Sequence, residues 1–286
     1  MIIDAHVHLF PPEVTADIDR YTSRDSFLKE ICSSPRNKFA GMEDLLAEMD
    51  RCGIQMAAAG GFACSDHGLC RAMNDYVLEA NRQYPGRLLP LAVVVPNRPD
   101  LEAEIARSQE LGAVGVGELF PWGQRFDLTS PEAGRLAALC AERKLPLLLH
   151  VNEEVGHSYS GKGPVSVKQA AEFALMYPDL TIIYAHWGGG LLFYELMPEL
   201  HRSLKNVYYD TAAGPFLYRP DIYRVAREIG VLHKILLGSD YPLLSPRRYL
   251  KQIQEAGLEE EEVRAILGGN AGRVFNLPCG PDITPI

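Results

Sequence analysis

Apolar residues along the chain gather in short continuous runs, and each run is followed by a stretch in which they recur at helical spacing. The runs cover residues 2–9, 54–60, 88–95, 113–119, 145–151, 180–186, 206–211 and 234–239. "PLLLHV", "TIIYAH" and "KILLGS" are typical: apolar throughout, with little alternation of polar and apolar positions. Parallel strands covered on both faces read this way, because neither face meets water. The helical stretches lie near 41–52, 68–83, 99–111, 130–143, 166–177, 189–204, 218–229 and 246–256. Several open on turn or capping residues, such as "RPD" at 98–100; in "TSPE" at 129–132, Ser130 suits a cap and Pro131 the first helical position. Eight strand–helix units in unbroken alternation predict an α/β fold, the (β/α)8 barrel. An open doubly wound sheet is the alternative, but no G-x-G-x-x-G follows the first strand.

Two connections are too long for simple turns: residues 10–40, after the first strand, and 152–165, after the fifth. Both fall on the C-terminal side of their strands, where a barrel keeps its active site. A short helical tail is expected over 259–276, with the acidic "LEEEEV" at 258–263 as its solvated face. There is no repeat, low-complexity tract or linker, so residues 1–286 read as a single domain with insertions after strands 1 and 5.

Composition narrows the function classes. A hydrophobic content of 47% and a charged content of 23% are those of a globular protein with ample core. The formal charge of −9 argues against a nucleic-acid partner and against an anionic membrane surface. No cationic stretch leads into an apolar N-terminal segment, and no apolar run is long enough to span a bilayer. The six cysteines (32, 52, 64, 70, 140 and 279) show no C-x-x-C spacing and read as reduced thiols in a cytoplasmic protein.

Chemistry first shows in the opening strand, "MIIDAHVHLF". With side chains alternating along a strand, Asp4, His6 and His8 share one face. Two imidazoles on one face are either hydrogen-bonded core histidines or a metal grip, and the other strand ends decide. The fourth strand ends on Glu118, the fifth on His150, the sixth on His186 and the eighth on Asp240. Glu118 to His150 is 32 residues and His150 to His186 is 36, each one strand–helix unit; His186 to Asp240 is 54, or two units. All therefore sit at one height on the barrel mouth. Four histidines and two carboxylates converging there are costly to bury without a cation. Imidazole and carboxylate together suit Zn2+ or a similar divalent ion, with a position open for water.

At this point the chain resembles the amidohydrolase superfamily of metal-dependent TIM-barrel hydrolases. It is most similar to the amidohydrolase-2 branch, which also holds aminocarboxymuconate semialdehyde decarboxylase. "DAHVH", the fifth- and sixth-strand histidines, "GSDYP" and the closing "GGNAGRVFNL" carry the likeness over nearly the whole chain. The resemblance implies that His6, His8, His150 and Asp240 bind metal and that Asp240 shuttles the proton of a bound water. It also implies that His186 either binds a second metal or polarises the substrate. Glu118 departs from the decarboxylase branch and resembles the TatD-like pattern, where such a glutamate helps hold two metals. One ion or two, and Glu118 as ligand or as a partner orienting a histidine, stay open here.

A divalent ion lowers the pKa of its water from near 16 to about 7. Attack on a carbonyl carbon, with Asp240 as proton acceptor and His186 beside the oxyanion, would hydrolyse an amide, lactone or related bond. The same apparatus would support non-oxidative decarboxylation of an unsaturated or aromatic acid. The loop "NEEVGHSYSGKGP" is expected to set specificity for a small-molecule substrate, with His157, Tyr159 and Lys162 over the metal. Lys162, or Arg125 in "FPWGQRFD", would grip an anionic group. Trp187 is expected either to wall the pocket or to pack beneath it, and Asp210, in "YYDTAA", to support a ligand. Two exposed insertions also admit a homodimer.

Overall fold

The computed structural model describes residues 1–33 and 38–278. Eight strands, β1 (Ile3–His8), β2 (Met56–Gly60), β3 (Leu88–Ala92), β4 (Gly115–Leu119), β5 (Leu147–Leu149), β6 (Ile182–Tyr184), β7 (Val207–Asp210) and β8 (Ile235–Leu236), pair in that order, all parallel. The sheet curls back on itself. Ala5 donates its N–H to the Leu237 carbonyl at 2.6 Å, Asp240 to His6 at 2.9 Å and His8 to Tyr241 at 2.8 Å. These bonds join the segment after β8 to β1, giving the (β/α)8 barrel the alternation predicts. Strand side chains are buried on both faces; Ile3, Ala5, Leu148 and Ile183 fill part of the interior, while Val7, Val116 and Leu147 meet the helices.

Most of the main helices fall within one or two residues of expectation, for example His67–Gln83, Pro131–Glu142 and Val167–Met176, while the one expected over 218–229 begins only at Asp221. Ser130 and Ser166 cap the last two by accepting from the Ala133 and Gln169 N–H groups. Three short helices, Pro12–Ala16, Ile18–Thr22 and Ser26–Cys32, occupy part of the first insertion.

The helix expected over 189–204 is not continuous. From His186 to Gly190 the backbone is left-handed throughout, with φ of 57°, 59°, 61°, 59° and 95°. Glycine tolerates this at three successive positions, and a Cβ on Gly189 would lie 2.4 Å from the Asn152 carbonyl oxygen. Only short helices follow, Leu191–Tyr194 and Pro198–Ser203, the second opening on its proline. The tail likewise breaks into Glu260–Arg264, a π turn at Ala265–Gly269 and Asn270–Val274. Among the described residues no helix is long and apolar enough to cross a membrane. The five described cysteines are free thiols, and Cys279 lies outside the described residues.

Candidate metal centre

The six strand-end residues converge at the C-terminal mouth of the barrel. His6, His8 and Asp240 form one triplet of ligand atoms, and Glu118, His150 and His186 form another. Glu118 lies between them. Its Oε2 is 3.4 Å from the Nε2 of both His6 and His8, while its Oε1 is 3.0 Å from His150 Nδ1 and 3.4 Å from His186 Nε2. Asp240 Oδ1 closes the first triplet at 3.4 Å from His8 Nε2 and 3.9 Å from His6 Nε2. Donors held about 2.1 Å from a tetrahedral ion stand roughly 3.4 Å apart, so these spacings are those of a coordination shell.

The rings are aimed from behind. His6 Nδ1 meets Asp210 Oδ2 at 2.8 Å, His8 Nδ1 meets the Gly61 carbonyl at 3.2 Å and His186 Nδ1 the Ala212 carbonyl at 3.1 Å. Each bond leaves Nε2 for the cluster, as metal-binding histidines require. His150 is reversed: Nδ1 faces the cluster, buried Nε2 has no partner, and the ring stacks on Phe120 at 4.2 Å. Asp210 also accepts from the His186 and Ala212 N–H groups at 3.0 and 2.9 Å, so one carboxylate fixes a β1 ring and the turn after β6. A register shift between Asp4 and Val7 in the β1–β2 pairing breaks the alternation expected to put Asp4 on the face of His6 and His8. Asp4 instead accepts from the Ser239 N–H and hydroxyl at 2.9 and 2.5 Å, anchoring the residue before Asp240. Burial pushes the Asp4 carboxyl up to about 6, against those bonds.

Charge gives the second test of fit. Burial opposes ionisation of Glu118, but the histidines around it, His6 foremost, hold its pKa well below the usual carboxylate range. Asp240 is likewise held down at about 2: burial raises it, and the bond to His8 together with the charges of His6, His8 and His186 outweighs burial. Burial opposes a proton on His6, yet Glu118 and Asp210 hold its pKa well above normal; for His186 burial is overcome by Glu118, raising it to about 9. Burial keeps His150 on the low, neutral side. The metal-free cluster thus needs protons to balance its carboxylates, and a divalent ion would replace them. The residues fit such an ion by donor type, spacing and charge.

Two predictions arise here. Imidazoles whose folded pKa is raised stabilise the fold fully below about 6.5, their unfolded value, and lose that stabilisation as pH rises through about 9. The thermal midpoint of chelated protein should therefore fall between pH 7 and pH 9.5, while that of metal-loaded protein stays level across that window. Parallel melting curves would contradict this balance of charge. Asp210→Asn, measured by metal titration, should weaken metal binding about 10- to 100-fold, because His6 loses its acceptor and the His186 turn its anchor. Unchanged affinity would reduce Asp210 to a packing residue.

Above the cluster opens a cavity of about 720 Å3. His8, Glu118, His150, His186 and Asp240 line it, with His157 and Tyr159 from the second insertion, as expected. Arg125 and Lys162 do not line it, and Trp187 takes the second of its two expected places. Arg125 is exposed and lines no part of the cavity. The Lys162 ammonium turns into its own loop, donating to the Val155 and His157 carbonyls at 2.7 and 3.2 Å, with Glu153 at 3.4 Å. Trp187 packs beneath the site against Tyr223, carried away from the mouth by the left-handed turn that follows His186. Sequence reasoning missed the walls: Phe10, Phe39, Phe62 and Phe120 on one side, with Phe216 and Leu217 from the short helix Gly214–Leu217 after β7. Phe120 directly follows β4 and Phe62 stands two residues after β2, a positional signal that marks them.

The family model described as Amidohydrolase matches residues 3–277. The chain belongs to this amidohydrolase family. Its site is a divalent-metal site built on six side chains from five strand ends. Among solved structures the chain is similar to 5-carboxyvanillate decarboxylase from Sphingomonas paucimobilis, with 18% identity and a TM-score of 0.78 over 97% of this chain and 99% of that one. It is also similar to 2,6-dihydroxybenzoate decarboxylase from Rhizobium, with 19% identity and a TM-score of 0.70 over 96% and 98%. A third is a manganese-bound dihydroxybenzoic acid decarboxylase from Polaromonas, with 19% identity and a TM-score of 0.69 over 96% and 97%. At such identities the likeness is one of fold. The comparison with curated proteins finds no match.

Proposed function

We propose that this protein is a metal-dependent hydrolase that cleaves an amide, lactone or related carbonyl bond of a small molecule. The carrying observation is Glu118, whose two oxygens face different ligand triplets and so provide for two ions. Imidazole-rich donors favour zinc, and manganese, bound in a similar decarboxylase, is the other candidate. An ion held by these residues supplies Lewis acidity and a water acidified to near neutrality.

Asp240, ionised at working pH, accepts a proton from the attacking water and returns it to the leaving atom. Asp210 and the Ala212 carbonyl keep His6 and His186 aimed at the reacting centre. With two ions His186 is a ligand; with one, its Nε2–H points into the cavity to hold the developing oxyanion. Phe62 against His8 and Phe120 against His150 exclude water from one side of the centre. Five free thiols suit a cytoplasmic setting for this activity.

The aromatic walls favour one second reading, non-oxidative decarboxylation of an aromatic acid, as in the proteins of similar fold. Turnover of a panel of aryl lactones, anilides and aromatic acids in 18O-water separates the two. Heavy oxygen in a new carboxyl group, without CO2, is the expected outcome. CO2 release without label in the acid would transfer the proposal to the lyase.

A further inference from the structure

The cavity above the cluster is also lined by cations that form no ion pair with it. Among the described residues its carboxylates are Glu118 and Asp240, both of the cluster. Among the described residues the basic groups lining it outside the cluster are Lys38, His157 and Arg248, each from a different loop or helix start, and no further Asp or Glu is found there. Over the whole chain Asp and Glu outnumber Lys and Arg by 37 to 28. Most arginines here are matched: Arg24 with Asp66, Arg107 with Glu104 and Asp75, Arg264 with Glu260. Among the described residues, no hydrogen bond or ion pair engages the Lys38 ammonium or the Arg248 guanidinium. Neither cation forms an ion pair with Glu118 or Asp240, and the phenyl rings of Phe10 and Phe62, the latter against His8, line the same cavity.

We infer that the substrate is an elongated molecule with an aryl or similarly apolar middle and an oxyanion remote from the bond cleaved, and that Arg248 and Lys38 hold that oxyanion. This rests on the hydrolase reading for the bond at the base, but the grip itself is a property of the unpaired cations and the apolar wall. A guanidinium offers a planar pair of donors to a carboxylate or phosphate, and an ammonium lining the same cavity adds a point charge. Apolar walls lower the local dielectric and leave the anion few partners apart from these. Arg248 and Lys38 are thus specificity-determining residues that the sequence motifs do not mark.

Binding of 4-phenylbutanoate, its neutral amide and 3-phenylpropyl phosphate, measured by calorimetry on zinc-loaded and on chelated protein, tests the inference. The better of the two anions should bind about tenfold tighter than the amide, in both metal states, and the ratio should shrink to about twofold or less in Lys38→Met/Arg248→Met. Arg248→Lys alone should keep part of the preference. Both side chains are exposed, so the melting midpoint of the double variant serves as the fold control. Which anion loses more in the variant tells carboxylate from phosphate. Equal binding of acid and amide, or a ratio untouched by the double variant, would overturn the inference. So would a preference that vanishes on chelation, since the anion would then sit on the cluster. Failure of the hydrolase reading would appear separately, as missing label from water with the charge-dependent binding intact.

Discussion

Asp240→Asn is expected to lower kcat by about a thousandfold or more while leaving most of the bound metal in place. The position has a φ of 57°, a left-handed conformation that asparagine tolerates as well as aspartate. The Asp240 N–H bond to the His6 carbonyl at 2.9 Å does not involve the side chain and survives the change. Asparagine keeps an oxygen toward His8, so what it removes is the group able to accept a proton. Rate and metal content should therefore separate. A variant turning over at a near-normal rate would take Asp240 out of proton transfer, and one that loses rate and metal in proportion would make it only a ligand.

Glu118→Gln is expected to act on both triplets at once. The glutamate is nearly inaccessible to solvent, and four imidazoles surround it at 3.0 to 3.4 Å. Removing its charge leaves the protons on His6 and His186 without their main counter-charge, and breaking one partner of a buried ionic set costs about 3–5 kcal/mol. The chelated variant should accordingly melt well below the chelated parent. With metal present it should hold one ion where the parent holds two, and kcat/KM should fall about 100-fold or more. A variant with the parent's metal content and melting point would place Glu118 outside the coordination shell.

Much of this site was legible because strand periodicity and unit spacing are geometric. His6 and His8 share a face by alternation, and Glu118, His150, His186 and Asp240 each end a strand of a barrel whose units repeat every 27 to 36 residues. The barrel followed from eight continuous apolar runs, since buried parallel strands leave no other pattern. What escaped depended on where short loops turn. Lys162 looked like an anion grip, but its ammonium satisfies carbonyls that the tight 153–163 loop leaves without partners. Trp187 follows a ligand in sequence yet leaves the mouth through the left-handed run ending at Gly190. Arg248 stands among other basic residues at a helix start, and only the folded chain brings it to the same cavity as Lys38. Asp210 was visible as a strand-end carboxylate, whereas its simultaneous hold on His6 and on the His186 backbone needed the closed barrel.

Metal content tests the central claim most directly. Protein purified without chelator, then reconstituted with zinc or manganese, should carry close to two ions per chain by plasma mass spectrometry and lose them, with its activity, to a chelator. A single ion would contradict the bridging role of Glu118, and no bound ion even after reconstitution would contradict the metal centre itself.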